Sequence, residues 1–147
     1  MIEAAKAFEE YIKEENITGF RIRETGDERQ TAVFESELEI EGRRMPILVI
    51  IDATAYATVR IRLAQNAVDD TNAMLLTGWL MRQNQESRLV KFYLTSDTAI
   101  IADVVVPHDP EAFDPGVMVS VLRVFIRDIT ALMPDLAMLL PDEPPAA

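Results

Sequence analysis

The chain has no cysteine, which removes disulfides, thiolate nucleophiles and sulfur-bound zinc together and suits a reducing cytoplasm. It has a single histidine, His108, so every imidazole-dependent mechanism would have to share one ring. Its serines at 36, 87, 96 and 120 lie in no Gly-x-Ser-x-Gly elbow, and its five glycines are never spaced as a phosphate-cradling loop. Basic charge is scarce: 14 Lys and Arg face 25 Asp and Glu, for a net charge of −11, and neither half is basic. That argues against nucleic acid and against anionic membrane surfaces, both of which are bound by Lys and Arg. Long apolar runs are missing too. The longest, Ile47 to Ile51, is far from the roughly 20 residues that span a bilayer. The start, Met-Ile-Glu-Ala-Ala-Lys, lacks the basic and apolar regions of a secretion signal, so a cytoplasmic location is expected.

What is present is ordinary globular material. The 147 residues are 49% hydrophobic and 27% charged, enough for one domain with a real core. A single domain over 1–140 is expected, followed by a flexible acidic, proline-rich tail over 141–147.

Period sorts the chain into elements. Ala4, Ala5, Phe8, Tyr11 and Ile12 recur at helical spacing and stop at Asn16 to Gly19. From Phe20 the period is two: Phe20 and Ile22 alternate with Arg21 and Arg23, then Ala32, Phe34, Ser36, Leu38 and Ile40 alternate with Val33, Glu35, Glu37 and Glu39. Two half-buried antiparallel strands follow, with cross-strand Arg–Glu pairing to help set their register. Ile47 to Ile51 shows no polar alternation and predicts a central strand buried on both faces, with Pro46 at its start. Thr58 to Leu63 alternates again and makes a fourth strand.

Asp69 or Asp70 predicts the cap of a helix running to Glu86, with Leu75, Leu76, Trp79 and Leu80 as its core stripe. Met74 and Met81 fall on another side of that helix with Gly78 between them, a soft apolar strip able to adapt to a partner. Two apolar runs, Val90 to Leu94 and Ala99 to Val106, joined by Thr95-Ser96-Asp97-Thr98, predict a hairpin. Asp114-Pro115 then reads as an N-cap and first helical residue. In that last helix Val117, Val121, Val124, Phe125, Ile129 and Leu132 form one stripe, and Met118, Leu122, Ile126 and Met133 widen it to about twice the arc a sheet contact needs. Pro134 is expected to break or kink it.

The element order predicts an α+β fold, α-β-β-β-β-α-β-β-α, with an antiparallel sheet under helices. This order resembles the YbjN-like proteins, often labelled bacterial sensory transduction regulators. So do the stretch from Leu80 to Leu94, with its Asn84 and basic, aromatic hairpin start, and the closing Leu139-Leu140-Pro141-Asp142-Glu143. The resemblance implies a fold similar to type III secretion chaperones, to which the fourth strand is an addition, and a regulatory role exerted by protein contact.

No residue set announces catalysis. His108 with Asp103, Asp109, Glu111 and Asp114 is the one carboxylate and imidazole group, but Asp109 and Asp114 precede prolines and have turn and cap work to do. No enzymatic activity, cofactor or metal is expected. The expectation is a homodimer, with a protein client as a further partner, using Met118, Leu122 and Ile126 of the last helix and Met74 and Met81 of the middle one. The alternative is a small-molecule sensor or uncharacterised enzyme, with a pocket between sheet and helices around Trp79 and Tyr93.

Overall fold

A computed structural model describes residues 1–142 of the chain. The expected tail therefore lies, from 143 onward, outside the described residues. The elements are α1 (Glu3–Glu14), β1 (Arg21–Glu24), β2 (Ala32–Ile40), β3 (Arg43–Ile51), β4 (Tyr56–Ala64), α2 (Ala73–Glu86), β5 (Lys91–Leu94), β6 (Ile100–Pro107) and α3 (Pro115–Ala137), in the α+β order that the periodicities predict.

The six strands form one antiparallel sheet in the order β1-β2-β3-β4-β6-β5. Each strand pairs with its chain neighbour except at β4–β6, where the chain leaves the sheet through α2 and β5 before returning. Tight turns serve the hairpins: Gly42 at φ +73° and Glu41 at φ +54° turn β2 into β3, a conformation that glycine adopts at little cost.

Odd-numbered residues of β3 and β4, among them Met45, Ile47, Val49, Ile51, Val59 and Ile61, point into one core that all three helices cover. Phe8 of α1 meets Phe34 of β2 edge to face with centroids 4.8 Å apart, and Phe125 and Ile129 of α3 are fully buried in the same core. Among the described residues no helix covers the other face of the sheet. β3 is central, but Leu48 and Ile50 are only half-buried, so its unbroken apolar run does not reflect cover on both faces. The side chains of the open face are instead shielded by their cross-strand neighbours.

Arg21 does stand opposite Glu35, yet the close Arg–Glu contact among the described residues is on the next pair of strands, between Arg44 and Glu37 at 3.5 Å. Asp114 caps α3 as expected, accepting from the N–H of Gly116 at 2.9 Å with Pro115 in the first turn. Pro134 does not end that helix: α3 continues to Ala137, because Met133 and Leu136 on either side of it are both buried and hold the last turn against the core. Among the described residues no helix is long and apolar enough to cross a membrane.

Candidate interaction surface

The middle helix is fastened at both ends. Before it, Asp69 Oδ1 accepts from the N–H of Thr71 at 2.8 Å, the hydroxyl of Thr71 at 2.7 Å and the N–H of Asn72 at 2.9 Å. These bonds, the Thr71 hydroxyl first, hold the Asp69 carboxyl below its ordinary value, since each favours the charged form. Asn72, rather than either aspartate, is the cap residue of α2. It is buried, and its Nδ2 donates to the carbonyls of Ala67 at 2.7 Å and Leu139 at 2.9 Å, tying the start of α2 to the loop before it and to the segment after α3. At the far end Asn84 bonds Phe92 of β5.

Between these anchors α2 buries little. Leu76 and Trp79 face the sheet, with Trp79 edge to face on Phe92 at 5.8 Å. The opposite side carries Met74, Gly78, Met81 and Gln85 at helical spacing. Met74 is 90% exposed, Met81 69% and Leu75, expected in the core stripe, 64%. Met138, next in the chain to Leu139, is 85% exposed. A Cβ built on Gly78 would meet nothing within 4 Å, so a second backbone has room to approach there.

The last helix is arranged differently from the expectation. Met118 is 1% exposed, Leu122 5%, and Ile126 is half-buried, while Val117 turns to solvent. The buried residues are Met118, Val119, Leu122, Phe125, Ile129, Met133 and Leu136. The apolar arc is wide because α3 packs on α1 as well as on the sheet, and it leaves no surplus face of Met118 and Leu122 for a partner. Tyr11 of α1 lies over the first turn of α3, 3.4 Å from where a Cβ of Gly116 would sit.

Polar groups gather on the open sheet face. Arg21, Glu35, Leu48, Arg60, Asp103 and Lys91 form one cross-strand row through all six strands. Asp103 is buried and takes a bidentate pair from Arg60, Nε to Oδ1 at 2.8 Å and Nη2 to Oδ2 at 3.0 Å, with the Tyr93 hydroxyl also donating to Oδ2 at 2.9 Å. The Asp103 carboxylate raises the Arg60 pKa further. Burial, then the hydrogen bond to Asp103, raises that of Tyr93. Asp103 was the one charge inside the apolar run 100–106, and that is the sequence signal for a buried partner. It belongs to this network and not to a group with His108.

Trp79 and Tyr93 lie on opposite sides of β5, so they line no common pocket, and Phe92 fills the space beneath Trp79. His108 packs edge to face on Phe113 at 5.1 Å, its backbone N–H bonded to Ala55 at 2.8 Å. Asp109 accepts from the N–H of Glu111 and Asp114 caps α3, as turn and cap residues do. Among the described residues no three His, Asp or Glu side chains gather as a metal-ligand set.

No protein-family model matches the chain, and no curated protein matches it.

Proposed function

We propose that this chain is a non-enzymatic regulatory protein of the cytoplasm that works by protein contact, first of all with a second copy of itself, through the outer face of α2. The observation that carries the reading is the exposed strip of Met74, Gly78 and Met81, with Leu75 exposed at its side, on a helix tied down at both ends. Scattered exposed apolar residues are commonplace, but a contiguous strip on a fixed helix is what interaction sites present. Methionines suit it, since they repack against irregular partners.

Charge favours a second copy as the occupant. The N-terminal approach to α2 carries Asp69 and Asp70, and its C-terminal end carries Arg82 and Arg88 with Glu86 between them, all exposed. Two such helices packed antiparallel about a two-fold axis near Gly78 bring each acidic end to a basic end, and every contact occurs twice. The helix dipoles also run in opposition. Each apolar side chain fully buried contributes roughly 1.5–3 kcal/mol.

Sedimentation velocity at micromolar concentration tests it. The wild type is expected at twice the 16.5 kDa chain mass, and Met81→Glu as a folded monomer. A wild-type protein that stays at the single-chain mass overturns self-association and leaves the strip to a client of different sequence.

A further inference from the structure

Sulfur is divided between core and surface in this chain. It has seven methionines and no cysteine. Met45, Met118 and Met133 are fully buried, Met1 is half-buried, and Met74, Met81 and Met138 stand in solvent. With no thiol present, these exposed thioethers are the sulfur that a dissolved oxidant meets, and oxidation turns a flexible apolar side chain into a polar one. Two of the three lie two turns apart on one face of α2.

The surroundings of that pair are poorly suited to a polar group. Gly78 between them leaves the helix backbone open, and Leu75 is exposed at the side. Leu76 and Trp79 are buried beneath, and the one hydroxyl in the interval, that of Thr77, already donates to the carbonyl of Ala73 at 2.8 Å. Two copies of α2 packed antiparallel about an axis near Gly78 set Met74 of each alongside Met81 of the other. A sulfoxide at either position carries a strong S–O dipole, which water solvates in the free chain and which the contact would strip of that water.

We propose that Met74 and Met81 form a redox-sensitive modification site whose oxidation by a hydroperoxide releases α2 from the second copy; the release presupposes the self-association through that helix. The thioether sulfur attacks the distal peroxide oxygen, the S–O bond forms as the O–O bond breaks, and sulfur gives up two electrons while the peroxide is reduced. The alkoxide or hydroxide that leaves takes the proton of the transferred oxygen. A thioether and a hydroperoxide thus become a sulfoxide and an alcohol or water, and reduction of the sulfoxide restores the strip. Association and oxidation oppose each other, because sulfur covered by the contact is shielded and the oxidant captures dissociated copies.

Hydrogen peroxide treatment of the full chain, read by sedimentation velocity and by peptide mass spectrometry, tests the site. One oxygen is expected at each of Met74, Met81 and Met138, with Met45, Met118 and Met133 unmodified and the circular dichroism unchanged. The dimer dissociation constant is expected to rise roughly tenfold or more, since each polar group enters the contact twice. Met74→Leu combined with Met81→Leu keeps an apolar strip and keeps Met138, so this variant is expected to take up oxygen at Met138 and stay dimeric. In the wild type, oxidation at Met74 and Met81 is expected to slow as protein concentration rises through the dissociation range, while that at Met138 holds its rate. Met74 and Met81 left unoxidised in dilute protein, or a dimer that persists with both oxidised, overturns the switch and leaves the α2 contact standing. Dissociation of the oxidised double variant, or dissociation accompanied by loss of the native circular dichroism, overturns the site. An untreated wild type at the single-chain mass overturns the self-association itself, and the switch with it.

Discussion

The side-chain amide of Asn84 occupies both outward backbone groups of Phe92: its Nδ2 donates to the carbonyl at 2.8 Å, and its Oδ1 accepts from the N–H at 2.8 Å. Ser87 Oγ accepts from the N–H of Val90 at 2.8 Å one step along. The end of α2 thus stands where a seventh strand would pair, and it blunts the β5 edge of the sheet against stray association. Asn84→Ala is expected to cost about 1–3 kcal/mol, the range for stranding backbone groups that had a partner, and to raise the tendency to aggregate. Urea denaturation measures the first and light scattering the second. Wild-type stability in the variant would show that water replaces the amide without loss.

Alkaline titration reads the open sheet face. Tyr93 has its pKa raised by burial and by donating to Asp103. Its contribution to stability is therefore complete below the unfolded value, about pH 10, and is lost as pH rises through the folded one. Tyr93 is expected to ionise above the ordinary tyrosine value by ultraviolet absorbance, and Tyr93→Phe to remove that step. Asp103→Asn is expected to cost about 1–3 kcal/mol, less than a fully buried pair because the Arg60 side chain reaches water.

Acid acts on two turns. Asp27 accepts from the N–H of Thr31 at 2.8 Å and its hydroxyl at 2.7 Å, and the backbone bond leads in lowering its pKa; Asp69 is lowered in the same way by Thr71 and Asn72. A depressed carboxylate adds stability above its unfolded pKa and loses it as pH falls through the folded value. The chain should accordingly weaken as pH drops below about 4, and Asp27→Asn with Asp69→Asn should flatten that decline. Thermal melts from pH 5 downward, with and without the pair of changes, measure the difference.

Leu122 separates core from interface on the last helix. Leu122→Ala is expected to cost about 2–5 kcal/mol, the range for a cavity left in a packed core, and to leave the association state of the folded fraction unchanged. Guanidinium denaturation together with sedimentation reads both. A variant of wild-type stability that no longer self-associates would return α3 to the role of interface.

Element order was legible because period survives in sequence: the shift from helical spacing to alternation at Phe20, the Asp114-Pro115 start and the two runs around Thr95 to Thr98 each lie where the structure has a boundary. What a helix or strand packs against was not. The arc of α3 reads the same whether α1 or a partner covers it, and the run Ile47 to Ile51 reads the same with one covered face or two. Leu75 was drawn into the core stripe by its neighbours Leu76 and Trp79, although the helix presents it to water. Asn84 was visible as a residue, but its bonds to Phe92 depend on the helix end meeting the strand edge. Met74 and Met81 were read as a strip of their own, and the structure leaves both exposed.

The one crossing in the sheet order sets how the chain can find its structure. β1 to β4 close by short turns, and β5 joins β6 by another, so both parts rest on local contacts that form quickly. Joining them requires β4 to meet β6, with Arg60 and Asp103 43 positions apart, and the entropy of closing that long loop is met only when this pair of strands docks. The seam carrying the Arg60–Asp103 pair is thus where the rate-limiting encounter is expected to fall. Substitutions in β4 and β6 should slow refolding, whereas those at the β1 edge should chiefly hasten unfolding.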